Sequence, residues 1–330
     1  MSVELKEELL NKRPIRSWKK PIVILLTSIG ILAAVIVLFL AIVFAVDFIS
    51  SKSEQAKIKS YGQLVPVDGK RMNVLIEGKG EETIVLLPGY GTASPVLDFK
   101  PLIAELSPFY KVVVVEPFGY GLSDATEKER TTDNIVSEIH EALQQLNIDK
   151  YILMGHSITG IYGLEYVDKY PNEVSAFAGI DTSVPTQPGM DVTFPLKKFT
   201  FLKQSGLLRL IMNVSGDAYE GLPFDNQTKE QMRMIALKNA YEATLLNELK
   251  HLSTNFKEAH PTTFPKDLPI ILFIQGNNPP VEGWIPLHEE QVKDSVHGKL
   301  IKLDGGHYLH HTQSKEIGKQ FRSFMNEMKK

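Results

Sequence analysis

The chain has 330 residues, a formal net charge of −3 and no cysteine. This length holds one large folded unit plus an insertion. The lack of cysteine excludes disulfides and thiolate metal sites, and the near-balanced charge argues against a nucleic-acid binder.

The first twenty residues hold six Lys and Arg against three Asp and Glu. From Pro21 to Val46 no residue is charged and most are Ile, Leu, Val, Ala or Phe. A run of about 20 apolar residues spans a bilayer, so 21–46 is expected to be a transmembrane helix. Its basic flank, from Lys12 to Lys20, predicts a cytoplasmic side for 1–20 and an extracytoplasmic side for the rest, with Trp18 in the headgroup layer. The apolar run is longer than that of a cleaved signal peptide, and no small-x-small cleavage site follows it. Residues 47–60 are mostly polar and are expected to be a short juxtamembrane linker.

Beyond position 60 the pattern alternates. Leu64–Val67 and Met72–Glu77 flank the turn signal Asp68-Gly69 and predict a hairpin. Thr83–Leu87 and Lys111–Val115 are apolar runs typical of buried parallel strands. Ser94 is expected to cap a helix through Leu106. Ile135, Ile139, Leu143 and Leu146 share one helical face over 131–146, with Thr132 or Asp133 as cap. Tyr151–Met154 reads as a strand, Ile158–Tyr170 as a helix stopped by Pro171, and Val174–Ile180 as the next strand. Between Asp181 and Asp267 the rhythm stops: Phe199–Val214 and Thr228–Phe256 read as two helices, punctuated by Pro185, Pro188, Pro195, Pro223 and Pro261. Strands at Pro269–Gln275 and Lys299–Leu303 and helices at Pro286–His297 and Ser314–Met328 complete the chain. Strands alternating with helices imply a mainly parallel sheet, whose ligands bind at the carboxyl ends of the strands.

The stretch Tyr151-Ile-Leu-Met-Gly-His-Ser-Ile-Thr-Gly160 organises the rest. A strand runs into Gly155-His156-Ser157 and a helix follows at once, so the serine sits at the tip of a tight, strained turn. The stretch resembles the nucleophile elbow of the α/β-hydrolase superfamily, with Thr159 where the pattern G-x-S-x-G has its second glycine. Leu86-Leu-Pro-Gly-Tyr-Gly91 resembles the oxyanion loop of that superfamily. Glu116-Pro-Phe-Gly-Tyr-Gly-Leu-Ser123 resembles its D-x-x-G-x-G-x-S segment, and Gly305-Gly-His307 the loop with the catalytic histidine. The resemblance covers residues 61–330. It implies an α/β-hydrolase fold, a mostly parallel sheet with helices on both faces, preceded here by one transmembrane helix. The core would comprise 61–184 and 266–330, and a helical lid 185–265.

It also implies a chemistry. A serine hydroxyl needs a base within hydrogen-bond reach, and the base needs an orienting acid. Ser157 is the expected nucleophile and His307 the base. Pro279 stands where superfamily members usually carry the acid. Two substitutes remain: Asp181, at the end of the strand after the elbow helix, is favoured, and Glu282 is the alternative. Asn277 and Asn278 are placed to orient an imidazole but cannot balance its charge. The backbone N–H groups of Tyr90 and Ile158 are the expected oxyanion hole. Glu116 and Ser123 are expected to brace the neighbouring loop, and His156 to pack. His310 and His311 are expected to start the last helix, and no pair of histidines has metal-ligand spacing. The resemblance implies a membrane-anchored extracytoplasmic serine hydrolase, first of all a carboxylesterase acting on a small-molecule or lipid-like acyl substrate, with no metal or organic cofactor. An aminopeptidase resembling the proline iminopeptidases, an acyltransferase and a silent binding module that kept the fold are the rivals.

Overall fold

The computed structural model describes residues 19–278 and 280–329. The basic flank before Lys19, with Trp18, and Pro279 lie outside the described residues.

The first element, α1 (Lys19–Gln55), is a single helix of 37 residues. It carries the expected apolar span and then continues, so residues 47–55, expected as a polar linker, are helical. The physical reason is twofold. Positions 47–55 contain neither Gly nor Pro, and their polar side chains dock on a later helix. Only 56–60 are turn and coil.

Eight strands follow: β1 (Gln63–Val67), β2 (Lys70–Glu77), β3 (Thr83–Leu87), β4 (Lys111–Glu116), β5 (Tyr151–His156), β6 (Val174–Ile180), β7 (Ile270–Gln275) and β8 (Gly298–Leu303). They form one sheet in the order β1-β2-β4-β3-β5-β6-β7-β8. The β1–β2 and β2–β4 pairs are antiparallel and all others parallel. The period of two divides the core between the faces: Val85 and Leu87 join one buried cluster, Ile84 and Leu86 the other. Helices α2 (Pro95–Asp98), α3 (Lys100–Leu106) and α12 (Ser314–Glu327) cover the second face. Helices α4 (Thr132–Gln145) and α5 (Thr159–Lys169) cover the first. Each fully buried Leu, Ile or Val contributes about 1.5–3 kcal/mol, which makes the sheet the rigid base of the molecule.

Some helix boundaries differ from expectation. Ser94 makes no side-chain cap; its hydroxyl meets Tyr61 Oη at 2.6 Å, and the segment after it splits into α2 and α3. Thr131, rather than Thr132 or Asp133, caps α4 by accepting the Asn134 N–H.

Between β6 and β7 the insertion forms four helices: α6 (Leu196–Gln204), α7 (Leu207–Val214), α8 (Asn226–Asn239) and α9 (Ala243–Ala259). Each of the two expected helices is therefore broken once. Gly206 interrupts the first at φ 77° and Tyr241 the second at φ 56°, left-handed values that a continuing helix does not allow. After β7 come α10 (Trp284–Val292) and, beyond β8, the short α11 (Leu309–Thr312).

Candidate active site

The carboxyl ends of β5, β6 and β8 meet at one point. At the end of β5, Ser157 adopts φ 55°, a strained value for a non-glycine residue, and α5 begins two residues later. A Cβ at Gly155 would lie 2.1 Å from Thr159 Cγ2, so position 155 admits only glycine. Thr159 thus fills the space over Gly155. Its hydroxyl donates to the Pro88 carbonyl at 2.9 Å and ties the elbow helix to the loop after β3. The threonine that departs from the G-x-S-x-G pattern has a structural task here.

Asp181 ends β6, fully buried and at φ 46°. The Gln275 backbone N–H donates to its Oδ1 and the Gln275 side-chain amide to its Oδ2, both at 2.9 Å. His307 Nδ1 lies 2.7 Å from Asp181 Oδ2, and His307 Nε2 lies 2.9 Å from Ser157 Oγ. With Nδ1–H donating to the carboxylate, Nε2 is left to accept the serine proton. The structure brings Ser157, His307 and Asp181 together. Glu282, by contrast, is exposed on the loop before α10 and makes no bond to His307. Gln275 was not foreseen as a site residue. Its only signal is that it is the polar residue closing the apolar run of β7.

His156 is buried beneath the site. Its Nε2–H donates to the His307 carbonyl at 2.9 Å, and the two rings lie 4.5 Å apart. Burial, aided by the neighbouring His310 and His307, pushes its pKa well below the usual imidazole value and keeps it neutral.

The loop after β3 faces Ser157 from the other side. Neither the Tyr90 nor the Ile158 backbone N–H has a protein partner among the described residues, which leaves both free for an oxyanion. The next N–H, that of Gly91, donates to Tyr120 Oη at 3.3 Å. Tyr120 and Tyr162 hydroxyls in turn donate to Glu248 of α9, and the Tyr90 hydroxyl donates to the Leu245 carbonyl at 3.0 Å. Burial raises the Glu248 pKa against the opposing effect of these hydroxyls. The insertion therefore holds the loop from behind. Sequence reading missed Tyr120 and Glu248, which are 128 positions apart. Glu116 braces the same region: it accepts from Asn73, the Val96 N–H, the Leu122 N–H and the Tyr61 hydroxyl, and its backbone carbonyl accepts from Ser123.

A cavity of about 490 Å³ opens at Ser157 and His307. Met190, Leu252 and Phe256 of the insertion, with Trp284, give it an apolar wall; Ser183, Gln187, Gln275 and Asn278 add polar points. Among the described residues no Asp or Glu lines it. A second cavity, about 440 Å³, also reaches His307 and is lined by Ser94, Asp98, Tyr219, Met232, Tyr308 and His311 among others.

His310 and His311, both in α11, send their Nε2 atoms to Asp98 at 2.6 and 2.8 Å. This buried trio has metal-ligand residue types. However, both Nε2 atoms already engage the carboxylate, and His310 Nδ1 has no partner, whereas a metal-bound imidazole donates its second N–H. Burial favours the neutral acid in Asp98, but the two imidazoles outweigh it and lower its pKa; burial lowers that of His310. The trio reads as a carboxylate held by two N–H donors.

A model of the alpha/beta hydrolase fold matches residues 82–209. The uncharacterized protein YbdG of Bacillus subtilis (strain 168) is 31% identical over 250 residues, which are 73% of this chain and 77% of that protein. The 2-hydroxy-6-oxo-6-(2'-aminophenyl)hexa-2,4-dienoic acid hydrolase of Metapseudomonas resinovorans is 23% identical over 173 residues, 52% of this chain and 58% of that one. Among solved structures, a bacterial membrane phospholipase A superposes with a TM-score of 0.59 at 15% identity, covering 94% of this chain and 99% of its own. Residues after position 60 cannot supply so large a share alone, so the likeness reaches into the N-terminal segment.

Proposed function

Because the chain belongs to the α/β-hydrolase superfamily, we propose that it is a serine hydrolase, held to a membrane by α1, that cleaves a carboxylic ester with Ser157, His307 and Asp181. One observation carries the reading: the unbroken hydrogen-bonded path from Ser157 Oγ through the His307 ring to Asp181. In this mechanism Oγ attacks the ester carbonyl while Nε2 takes its proton. The Asp181 carboxylate balances the imidazolium, and the Tyr90 and Ile158 N–H groups receive the oxyanion. Collapse expels the alcohol, which takes the proton from Nε2. Water, activated by the same imidazole, then releases the acid and restores the serine.

The lining of the larger cavity supports an ester over an aminoacyl substrate. A peptide α-ammonium group calls for a carboxylate partner, and none lines this wall among the described residues. The apolar side chains from α9 and from the segment before α6 suit a hydrocarbon acyl group, with the insertion 185–265 acting as the lid. The kinship in fold with a membrane phospholipase A is in keeping with a lipid-like ester. In this reading residues 1–20, with their basic flank, are cytoplasmic and the hydrolase domain lies outside on a single-pass anchor over 21–46.

The test is covalent. A fluorophosphonate should label the full chain, and Ser157→Ala should abolish labelling. A folded wild-type chain that no such reagent labels would instead favour a silent binding module. A panel of p-nitrophenyl esters and aminoacyl anilides then separates esterase from aminopeptidase.

A further inference from the structure

We propose that the corner between α6 and α7 is a lipid-docking surface that rests in the headgroup layer of the membrane and is fixed there by the end of α1. The proposal rests on the reading of α1 as an anchor and goes beyond it.

The apolar stretch 21–46 reaches roughly 39 Å at helical rise, more than a hydrocarbon core of about 30 Å needs. Its last turn therefore lies at the edge of the acyl layer. The α6–α7 corner touches the anchor at that turn. A Cβ on Gly206 would lie 2.9 Å from the Val43 carbonyl oxygen and 2.7 Å from Asp47 Cβ, so a glycine is needed both for the bend and for this approach.

One turn further, Arg209 locks the contact. Its side chain is 7% exposed. Nε donates to Asp47 Oδ1 at 2.7 Å, Nη1 to Glu54 Oε1 at 2.6 Å, and Nη2 to Glu54 Oε2 and Ser51 Oγ at 2.8 and 2.9 Å. A planar guanidinium bound on both edges fixes direction as well as distance. The insertion cannot swing away from the anchor without breaking four bonds.

Held at this height, the corner presents apolar groups outward. Phe201, Leu210, Ile211 and Val214 are 55, 37, 48 and 80% exposed. Beside them, Lys197 and Lys198 of α6 are exposed and pair with no carboxylate among the described residues. Apolar side chains flanked by free lysines match the boundary of a bilayer with anionic headgroups. Continuity with the anchor and this charge select lipid as the occupant, rather than a second copy of the chain. The loop just beyond α7 carries Tyr219 and Leu222 into the cavity that reaches His307, so the docked corner also sets one entrance of the site at the lipid surface.

The absence of native cysteine permits a direct test on the full chain in phosphatidylglycerol-containing vesicles. Single cysteines at positions 39, 211, 214 and 296 would carry an environment-sensitive dye, with nitroxide lipids as quenchers. Headgroup-proximal nitroxides should quench 211 and 214, and acyl-chain nitroxides 39. Position 296, exposed before β8, should be unaffected. Quenching at 39 without quenching at 211 and 214 overturns the docking surface and leaves the anchor standing. No quenching at 39 overturns both. Dye–dye quenching between copies at 214 that lipid nitroxides do not compete with would assign the face to self-association and overturn the proposal. As a second readout, Phe201→Ser with Ile211→Ser and Val214→Ser should lose hydrolysis of a vesicle-embedded ester but keep that of a water-soluble one; equal loss on both overturns it.

Discussion

The surroundings of Ser157 and those of Arg209 are built by opposite means. Around Ser157 the backbone does the positioning. Two residues with positive φ end adjacent strands, and the register of β5, β6 and β7 brings Asp181 beside Gln275. Around Arg209 a single side chain joins two helices that are 155 to 162 positions apart. The difference teaches where each kind of change should be felt. The chemistry lives on a sheet that a surface substitution barely moves. The grip of the insertion on α1 is centred on one guanidinium, while Glu248 and Leu245 tie it to the core.

Predictions follow the same division, and their sizes should fall on moving from the sheet to the insertion. Ser157→Ala should abolish ester turnover, a loss of up to about 10⁶-fold in kcat for such nucleophile–base units, measured with a p-nitrophenyl ester. Asp181→Asn should cost about 10⁴-fold, because the amide presents the wrong partner to Nδ1, while Glu282→Gln should leave the rate near wild type. The reverse outcome would transfer the role to Glu282 and break the comparison at its strongest point. Gly155→Ala should cost about 1–3 kcal/mol in denaturant unfolding of the detergent-solubilised chain, since the new Cβ has no room beside Thr159. Combining it with Thr159→Ala should recover part of that loss; strict additivity would show that the contact is not the cause.

The smallest effect belongs to Glu248 in the insertion. Burial raises its folded pKa above the unfolded value of about 4.3. It therefore adds stability below that value, which is lost as pH rises through the folded pKa, because the unfolded chain releases a proton that the folded chain keeps. Glu248→Gln has no such proton to release. Its stability relative to wild type should rise from acid to neutral pH, as read from thermal unfolding at a series of pH values. A difference independent of pH would mean that Glu248 is ionised in the fold.

The strands and the elbow were legible because their signals are local. Four valines in a row, or a serine between a strand and a helix, need no partner elsewhere to be read. The two helix breaks were harder: Gly206 is an ambiguous sign within a helical pattern, and Tyr241 gives no sign at all of its left-handed backbone. The helical course of 47–55 gave no sign because polar residues look alike whether they face water or Arg209. Asp98 with His310 and His311, and Tyr120 with Glu248, pair across more than a hundred positions, and no spacing announces them. The carboxylate partner of His307 was legible only as a choice. Asp181 stands at a strand end, but the glutamine that holds it belongs to a strand 94 positions later.

Seen down its axis, α1 behaves as a screw. Asp47, Ser51 and Glu54 reach Arg209 because spacings of four and three put them on one stripe. Adding or removing one residue between Val46 and Asp47 turns that stripe by about 100° relative to the span. The molecule would have to rotate bodily about its anchor to keep the same grip. A change of about seven residues, two turns, lifts the domain while nearly preserving its orientation, and so does one of about eleven, three turns. With α1 as the anchor we propose, the height of the domain above the bilayer is set in steps of whole turns, about 10 Å for the seven-residue step.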